Sequence, residues 1–161
     1  MKKKKIICVG CGLMGTQLIN ILDALSPSNI YMGENVIAVP TMDTAWLTAH
    51  YRLYWGLVQA AAACKENNIS VEMYADAIKP MIIALLDVVC PNLTEMIAKD
   101  NYDMASDCTL DIQVAAIKEI MDYYTSQGMD GSVLGSISKL ADKAVENGDG
   151  DKNFEAIARN L

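Results

Sequence analysis

Six residues near the start of the chain, Gly10-Cys11-Gly12-Leu13-Met14-Gly15, form a complete G-x-G-x-x-G directly after a short apolar run. Each glycine has a physical task in that pattern. Gly10 permits a tight turn, Gly12 lets the backbone approach a pyrophosphate, and Gly15 lets the following helix pack closely on the preceding strand. The helix N-terminus then turns unpaired N–H groups and the positive end of its dipole toward the anion. An acidic residue about 20 positions further on takes the ribose hydroxyls in such sites. Glu34 stands at that spacing, and it reads equally as a plain turn residue after Gly33. The expected cofactor-binding set is therefore Gly10, Cys11, Gly12, Leu13, Met14 and Gly15.

Other reactive side chains are sparse. Cys8 and Cys11 are formally a C-x-x-C, but Cys8 falls inside the expected strand, where a small hydrophobe packs, and not at a helix start that would activate a thiol. The five cysteines are odd in number and follow no disulfide-framework spacing. One histidine, His50, and no second C-x-x-C leave no zinc ligand set, so no metal site is expected. His50 reads as a packed helix residue. Tyr51 and Tyr54 are expected on different faces of the same helix. Asp43 follows Thr41, a good N-cap, in what reads as the first turn of a helix, where a carboxylate suits the dipole.

These residues need elements to hold them. Ile6–Val9 reads as a short buried strand, and Leu18, Ile21, Leu22 and Leu25 predict a helix over 13–25. Ser26–Asn29 reads as a turn, Ile30–Met32 as a second strand, and the apolar Val36–Val39 stops at Pro40. Beyond Pro40 the pattern is helical throughout. A first long helix runs to about Asn67. Ser70 caps the next, which Pro80 bends or splits, and Pro91 opens another at its first turn. Leu110, Val114, Ile117, Met121 and Tyr124 predict a helix closed by Gly128, and Val133–Val145 one closed by Gly148. Phe154–Leu161 forms a short final helix.

The whole composition is that of a globular chain. With 161 residues, 52% apolar and 20% charged, it buries on the order of 70% of its unfolded surface. A formal charge of −7 argues against nucleic acid, because little here would neutralise phosphates. Lys2–Lys5 reads as a solvated lead-in to the first strand. No apolar stretch is long enough to span a bilayer and no cleavage site follows the basic start, so a cytoplasmic protein is expected.

From about Leu22 to Leu161, and first at Tyr31-Met32-Gly33-Glu34-Asn35 and the long helix beyond it, the sequence resembles the imine reductases, in the wider family of NADPH-dependent β-hydroxyacid dehydrogenase-like oxidoreductases. The carriers are ILDALSPSNIYMGEN, MDTAWLTAHYRLYWGLVQAAAACKENNIS, TLDIQVAAIKEIMDYYTSQGMD and the tail NGDGDKNFEAIARNL, with its G-x-G-D-x-x-F-x-A-like turn. The resemblance implies a dinucleotide domain, an interdomain helix and a helical domain interlocked with that of a second copy, with the active site between the two copies. It also implies NADPH as hydride donor and Asp43, matched through Tyr51 and Gly56, as the group that gives or positions the proton for an imine nitrogen. A carboxyl group held away from water there suits that task. The lysine that hydroxyacid dehydrogenases carry on this helix has no counterpart, which speaks against their alcohol oxidation. Residues 6–25 match either the first strand and helix of the family's dinucleotide domain or its last.

The expected fold is therefore mainly α: an intertwined helical dimerisation domain over 41–161, preceded over 1–40 by a small, truncated Rossmann-like β-α-β piece. Long helices apolar on several faces, in a chain with ten methionines, point to a homodimer. Three functions stay open from the residues: an imine reductase-like, NADP-dependent oxidoreductase acting on an imine or amine; a catalytically silent homodimerisation module; and a small-molecule binding or regulatory domain.

Overall fold

The computed structural model describes residues 7–10, 28–103 and 108–161. The predicted helix over 13–25 lies outside them. Two short strands, β1 (Ile7–Gly10) and β2 (Ser28–Tyr31), pair in parallel, with Ile7 opposite Ser28 and Gly10 opposite Tyr31. β2 begins two residues before the expected strand, inside the segment read as a turn. Ladder pairing with β1 settles its start where local turn propensity did not.

Four long helices follow among the described residues: α1 (Ala38–Glu66), α2 (Val71–Asn92), α3 (Leu110–Ser126) and α4 (Ser132–Ala144). α1 starts three residues before the expected cap. Asn35 opens it by accepting the Ala38 N–H on its carbonyl at 3.0 Å and the Ile37 N–H on its side-chain oxygen at 3.2 Å. Pro40 sits in the first turn, where the backbone N–H has no intrahelical partner to lose. Thr41 is thus inside the helix and not its cap, and the first turn carries no acidic residue. α1 ends with Asn68 in the left-handed region at φ 58°, the conformation glycine usually supplies at such ends.

α2 begins as the sequence predicts. Ser70 is its N-cap and accepts the Met73 N–H on Oγ at 3.0 Å. It then differs from expectation: one helix runs through both Pro80 and Pro91 and passes into a single π-helical turn, Leu93–Ile97. Pro80 does not split it, and Pro91 lies at its end and starts nothing. Gly128 closes α3 at φ 68°, and its successor Met129 donates to the Tyr124 carbonyl at 2.9 Å. Past α4 a π-helical turn, Val145–Asp149, ends through Gly148 at φ 93°, and a 3₁₀ helix, Phe154–Asn160, finishes the chain.

The chain divides into two compact units, Met1–Ala62 and Ala63–Leu161. Among the described residues the buried clusters lie in the second. Leu110, Val114, Ala141, Ala144 and Ile157 pack together, with Val145 and Phe154 against them. Met96, Tyr102 and Ala156 form a smaller cluster. α3 and α4 are further joined by Lys118 Nζ to Asp142 Oδ1 at 2.7 Å. No described helix is long and apolar enough to cross a membrane.

α1 and α2 are the exception to this packing. Of the 29 residues of α1 only Ala63 is buried, and none of the 22 of α2 is. Trp46, Leu53, Trp55 and Val58 on α1, and Met81, Ile83, Leu85 and Val88 on α2, all stand exposed.

Candidate functional site

Gly10 is the last residue of β1 and lies opposite Tyr31, the last residue of β2. The two strands run in parallel, so their carboxyl ends share one edge, where ligands bind in open α/β sheets. Glu34 follows β2 at that edge and is exposed, just after Gly33 at φ 75°, a backbone angle that suits glycine. Of the expected cofactor-binding residues, Gly10 is therefore placed at a strand end. Cys11, Gly12, Leu13, Met14 and Gly15 lie outside the described residues.

Asp43 lies in the second turn of α1, exposed, with no claim on the helix dipole from the first turn. Helical spacing sets Trp46, His50 and Tyr54 above it on the same side, at i+3, i+7 and i+11. The rings form a continuous strip. His50 lies 5.6 Å from Trp46 and 6.0 Å from Tyr54 between ring centroids, and it is nearly parallel to Tyr54 at 9°. Tyr51 meets His50 edge-on at 5.2 Å and 79°. Tyr51 and Tyr54, expected on different faces, thus flank one imidazole. His50 packs among rings but stays exposed, as do Trp46, Tyr51 and Tyr54 at 62, 65 and 60%. Taken singly, these residues carry no signal in the sequence. The signal that joins them is the four-residue recurrence of Trp46, His50 and Tyr54, three positions after Asp43.

A different set of polar residues secures the second unit. Arg159 Nη1 bonds Asp149 Oδ1 at 2.8 Å, its Nε lies 3.5 Å from Asp100 Oδ1, and its guanidinium covers the Tyr102 ring at 4.5 Å. Asn153 donates twice to the Tyr102 carbonyl, from its backbone at 3.2 Å and from Nδ2 at 3.1 Å. The tail's Lys152 and Gly150 carbonyls accept the first N–H groups of α3, from Leu110 at 2.8 Å and Asp111 at 3.1 Å. Lys152 Nζ pairs with Asp103 Oδ1 at 2.5 Å, and that ammonium holds the Asp103 carboxyl below its ordinary value while its own is raised. The glycine turn and the helix after it are therefore a structural clasp. Among the described residues no three His, Cys, Asp or Glu side chains are grouped to hold a metal ion.

Residues 38–161 match the family described as NADPH-dependent reductive aminase-like, C-terminal domain. A comparison with curated proteins finds no match. Among solved structures, the imine reductase from Aspergillus terreus in complex with NADPH4 and dibenz[c,e]azepine superposes with a TM-score of 0.85 at 21% identity, over 98% of this chain and 55% of its own. The reductive aminase from Aspergillus terreus in complex with NADPH and ethyl levulinate gives 0.83 at 20%, over 96% and 54%. The imine reductase from Myxococcus stipitatus in complex with NADP+ gives 0.81 at 19%, over 96% and 56%. At these identities the likeness is one of fold, and the chain spans about half the length of the structures it matches. The match over residues 38–161 shows that the chain belongs to the NADPH-dependent reductive aminase-like family through its C-terminal domain.

Proposed function

We propose that this chain forms the helical, partner-binding part of an NADPH-dependent oxidoreductase that reduces imines, with Asp43 as the proton donor. The observation that carries the reading is the family match over residues 38–161, which begins where α1 begins. The cofactor's phosphate and ribose fit the strand edge: Gly10 ends β1 there, and Glu34 follows β2 on the same side. In such sites the glycine motif offers N–H groups to the pyrophosphate, and Glu34 would offer its carboxylate to the ribose. Among the described residues only two strands stand in the sheet, so the rest of the dinucleotide pocket is not built by them. NADPH, when bound, would supply the hydride for an imine carbon. Asp43 supplies the proton that reaches the nitrogen, and the exposed apolar residues around it on α1 exclude water once they are covered.

The cover we propose is a second copy. A helix of 29 residues with a single buried side chain, followed by one of 22 with none, exposes more apolar surface than a monomer ordinarily leaves to water. Interlocked helices from two chains would bury it in an interface of obligate character.

Two measurements test the two halves of the proposal. Titration with NADPH, followed by calorimetry, is expected to show saturable binding that Gly12→Val abolishes; no binding at millimolar cofactor rejects the oxidoreductase. The solution mass by sedimentation is expected to be that of a dimer, and a monomer at micromolar concentration rejects the interlocked helices.

A further inference from the structure

Asn147 is the one asparagine of this chain that precedes a glycine; the others stand before Ile, Val, Leu, Tyr, Phe or another Asn. Those side chains shield the backbone nitrogen that follows the asparagine, and glycine has none to do so. Asn147 and Gly148 are both exposed. Gly148 breaks the π-helical turn Val145–Asp149 at φ 93°, and no other part of the fold comes within 4 Å of the point where a Cβ on it would stand. One contact opposes this freedom. Asn147 Nδ2 donates to Asn160 Oδ1 at 2.6 Å, on the 3₁₀ helix that finishes the chain and within the same compact unit. Asn160 Nδ2 is buried without a hydrogen-bond partner among the described residues, so its amide meets the turn through Oδ1.

We propose that Asn147-Gly148 is a site of spontaneous covalent modification, imide closure followed by conversion to aspartate or isoaspartate, and that the hydrogen bond to Asn160 sets its rate. The Gly148 nitrogen gives up its proton and bonds Asn147 Cγ. The Cγ–Nδ2 bond breaks, and ammonia leaves. Water then opens the cyclic imide at one of its two carbonyls, which yields aspartate or, with the backbone lengthened by a methylene, isoaspartate. No electrons are exchanged with an outside reagent. The nitrogen that departs is the one Asn160 holds, so closure waits on local opening of the turn from the tail. Either product carries an acceptor-only carboxylate where an amide donated, and the bond to Asn160 Oδ1 is lost with it. None of these steps involves Asp43 or a cofactor.

The test incubates the full chain in mildly alkaline buffer, which favours the deprotonated nitrogen, and follows the amide-to-acid mass change by peptide mapping. Cleavage at lysine isolates residues 144–152 as one peptide. In the folded chain Asn147 is expected to convert ahead of every other asparagine. Asn160→Ala should speed that conversion about fivefold, the factor for loss of one net hydrogen bond. Asn160→Asp keeps an accepting oxygen and should convert no faster than the parent. Circular dichroism shows whether Asn160→Ala keeps its fold; where it does not, the comparison of Asn160→Asp with the parent decides. Another asparagine converting first, an Asn160→Ala chain that folds and converts at the parental rate, or an Asn160→Asp chain that converts faster than the parent overturns the proposal.

Discussion

Arg159 reaches back ten residues to Asp149, Nη1 to Oδ1 at 2.8 Å, and lays the same guanidinium 4.5 Å over the ring of Tyr102. Asp149 is nearly buried, with 11% of its side chain exposed, whereas Arg159 is 40% exposed. The asymmetry decides which loss hurts more. Removing the arginine strands a carboxylate that water reaches poorly, so Arg159→Ala should destabilise the chain by about 1–3 kcal/mol. Arg159→Lys should recover only part of this, since an ammonium cannot make the forked contact. Urea midpoints at constant m-value check both. A midpoint unchanged in Arg159→Ala would show the clasp to be dispensable.

Leu110 ties the same clasp to the core. Its side chain is fully buried beside Val114, Ala141, Ala144 and Ile157, and its N–H donates to the Lys152 carbonyl at 2.8 Å. Leu110→Ala should cost about 2–5 kcal/mol, the range for a leucine whose surroundings relax only in part. Met81→Ala on α2 makes the matched comparison, because that side chain is 64% exposed in the single chain. It should have little effect on the monomer and weaken a dimer if α2 is covered there. Thermal unfolding at two protein concentrations separates the cases.

The helical part of this fold was legible because its cues are local. Ser70, Gly128 and Gly148 announce helix ends through hydrogen bonds and φ angles that depend on a few neighbouring residues. The errors arose where one local cue competed with another. Pro40 sits in a first turn, where proline removes no helical bond, whereas Pro91 lies inside α2 near its end and gives up one bond without stopping the helix, yet proline alone reads as a boundary. Pro80 lies inside a helix held by the residues on both sides of it. The site was less legible. Asp43 is proposed from the family resemblance, whereas the ring contacts beside it need the helix to be built, since Trp46, His50 and Tyr54 become neighbours only once the turns stack. The role of the tail as a clasp depends on contacts between residues as far apart as Tyr102 and Asn153, which no short window contains.

Acid should loosen the second unit through three aspartates. Asp103 is held below its ordinary 3.8 by the hydrogen bond and charge of Lys152, Asp111 by the Thr109 hydroxyl and the Ile112 N–H, and Asp130 by the Ser132 N–H and hydroxyl. A carboxyl depressed in the folded state contributes stability that is present above its unfolded value and lost as pH falls through the folded one. The loss should therefore begin near pH 4 and continue below it. The Lys152 ammonium runs the other way: raised above 10.5, it contributes fully below that value and loses its contribution as pH rises through the folded one. Chemical denaturation between pH 2 and 6 checks the acid limb, where Asp103→Asn should flatten the slope. A stability curve that is level from pH 6 to 2 would contradict these assignments.

Asp43→Asn separates the proton-donor proposal from structure. The side chain is exposed, sits outside the first turn of α1 and holds no place in the buried core, so the substitution should change stability by no more than about 0.5 kcal/mol. If Asp43 gives the proton, NADPH oxidation with a cyclic imine should fall by about 10²–10⁴-fold, the range for a positioned general acid. Cofactor affinity should be unchanged, because the phosphate and ribose contacts are assigned to the strand edge. Asp43→Glu offers a rescue test, since it keeps a transferable proton but moves it by one methylene. An Asp43→Asn variant that turns over at the rate of the parent would leave α1 as a packing helix and return the source of the proton to another group or to water.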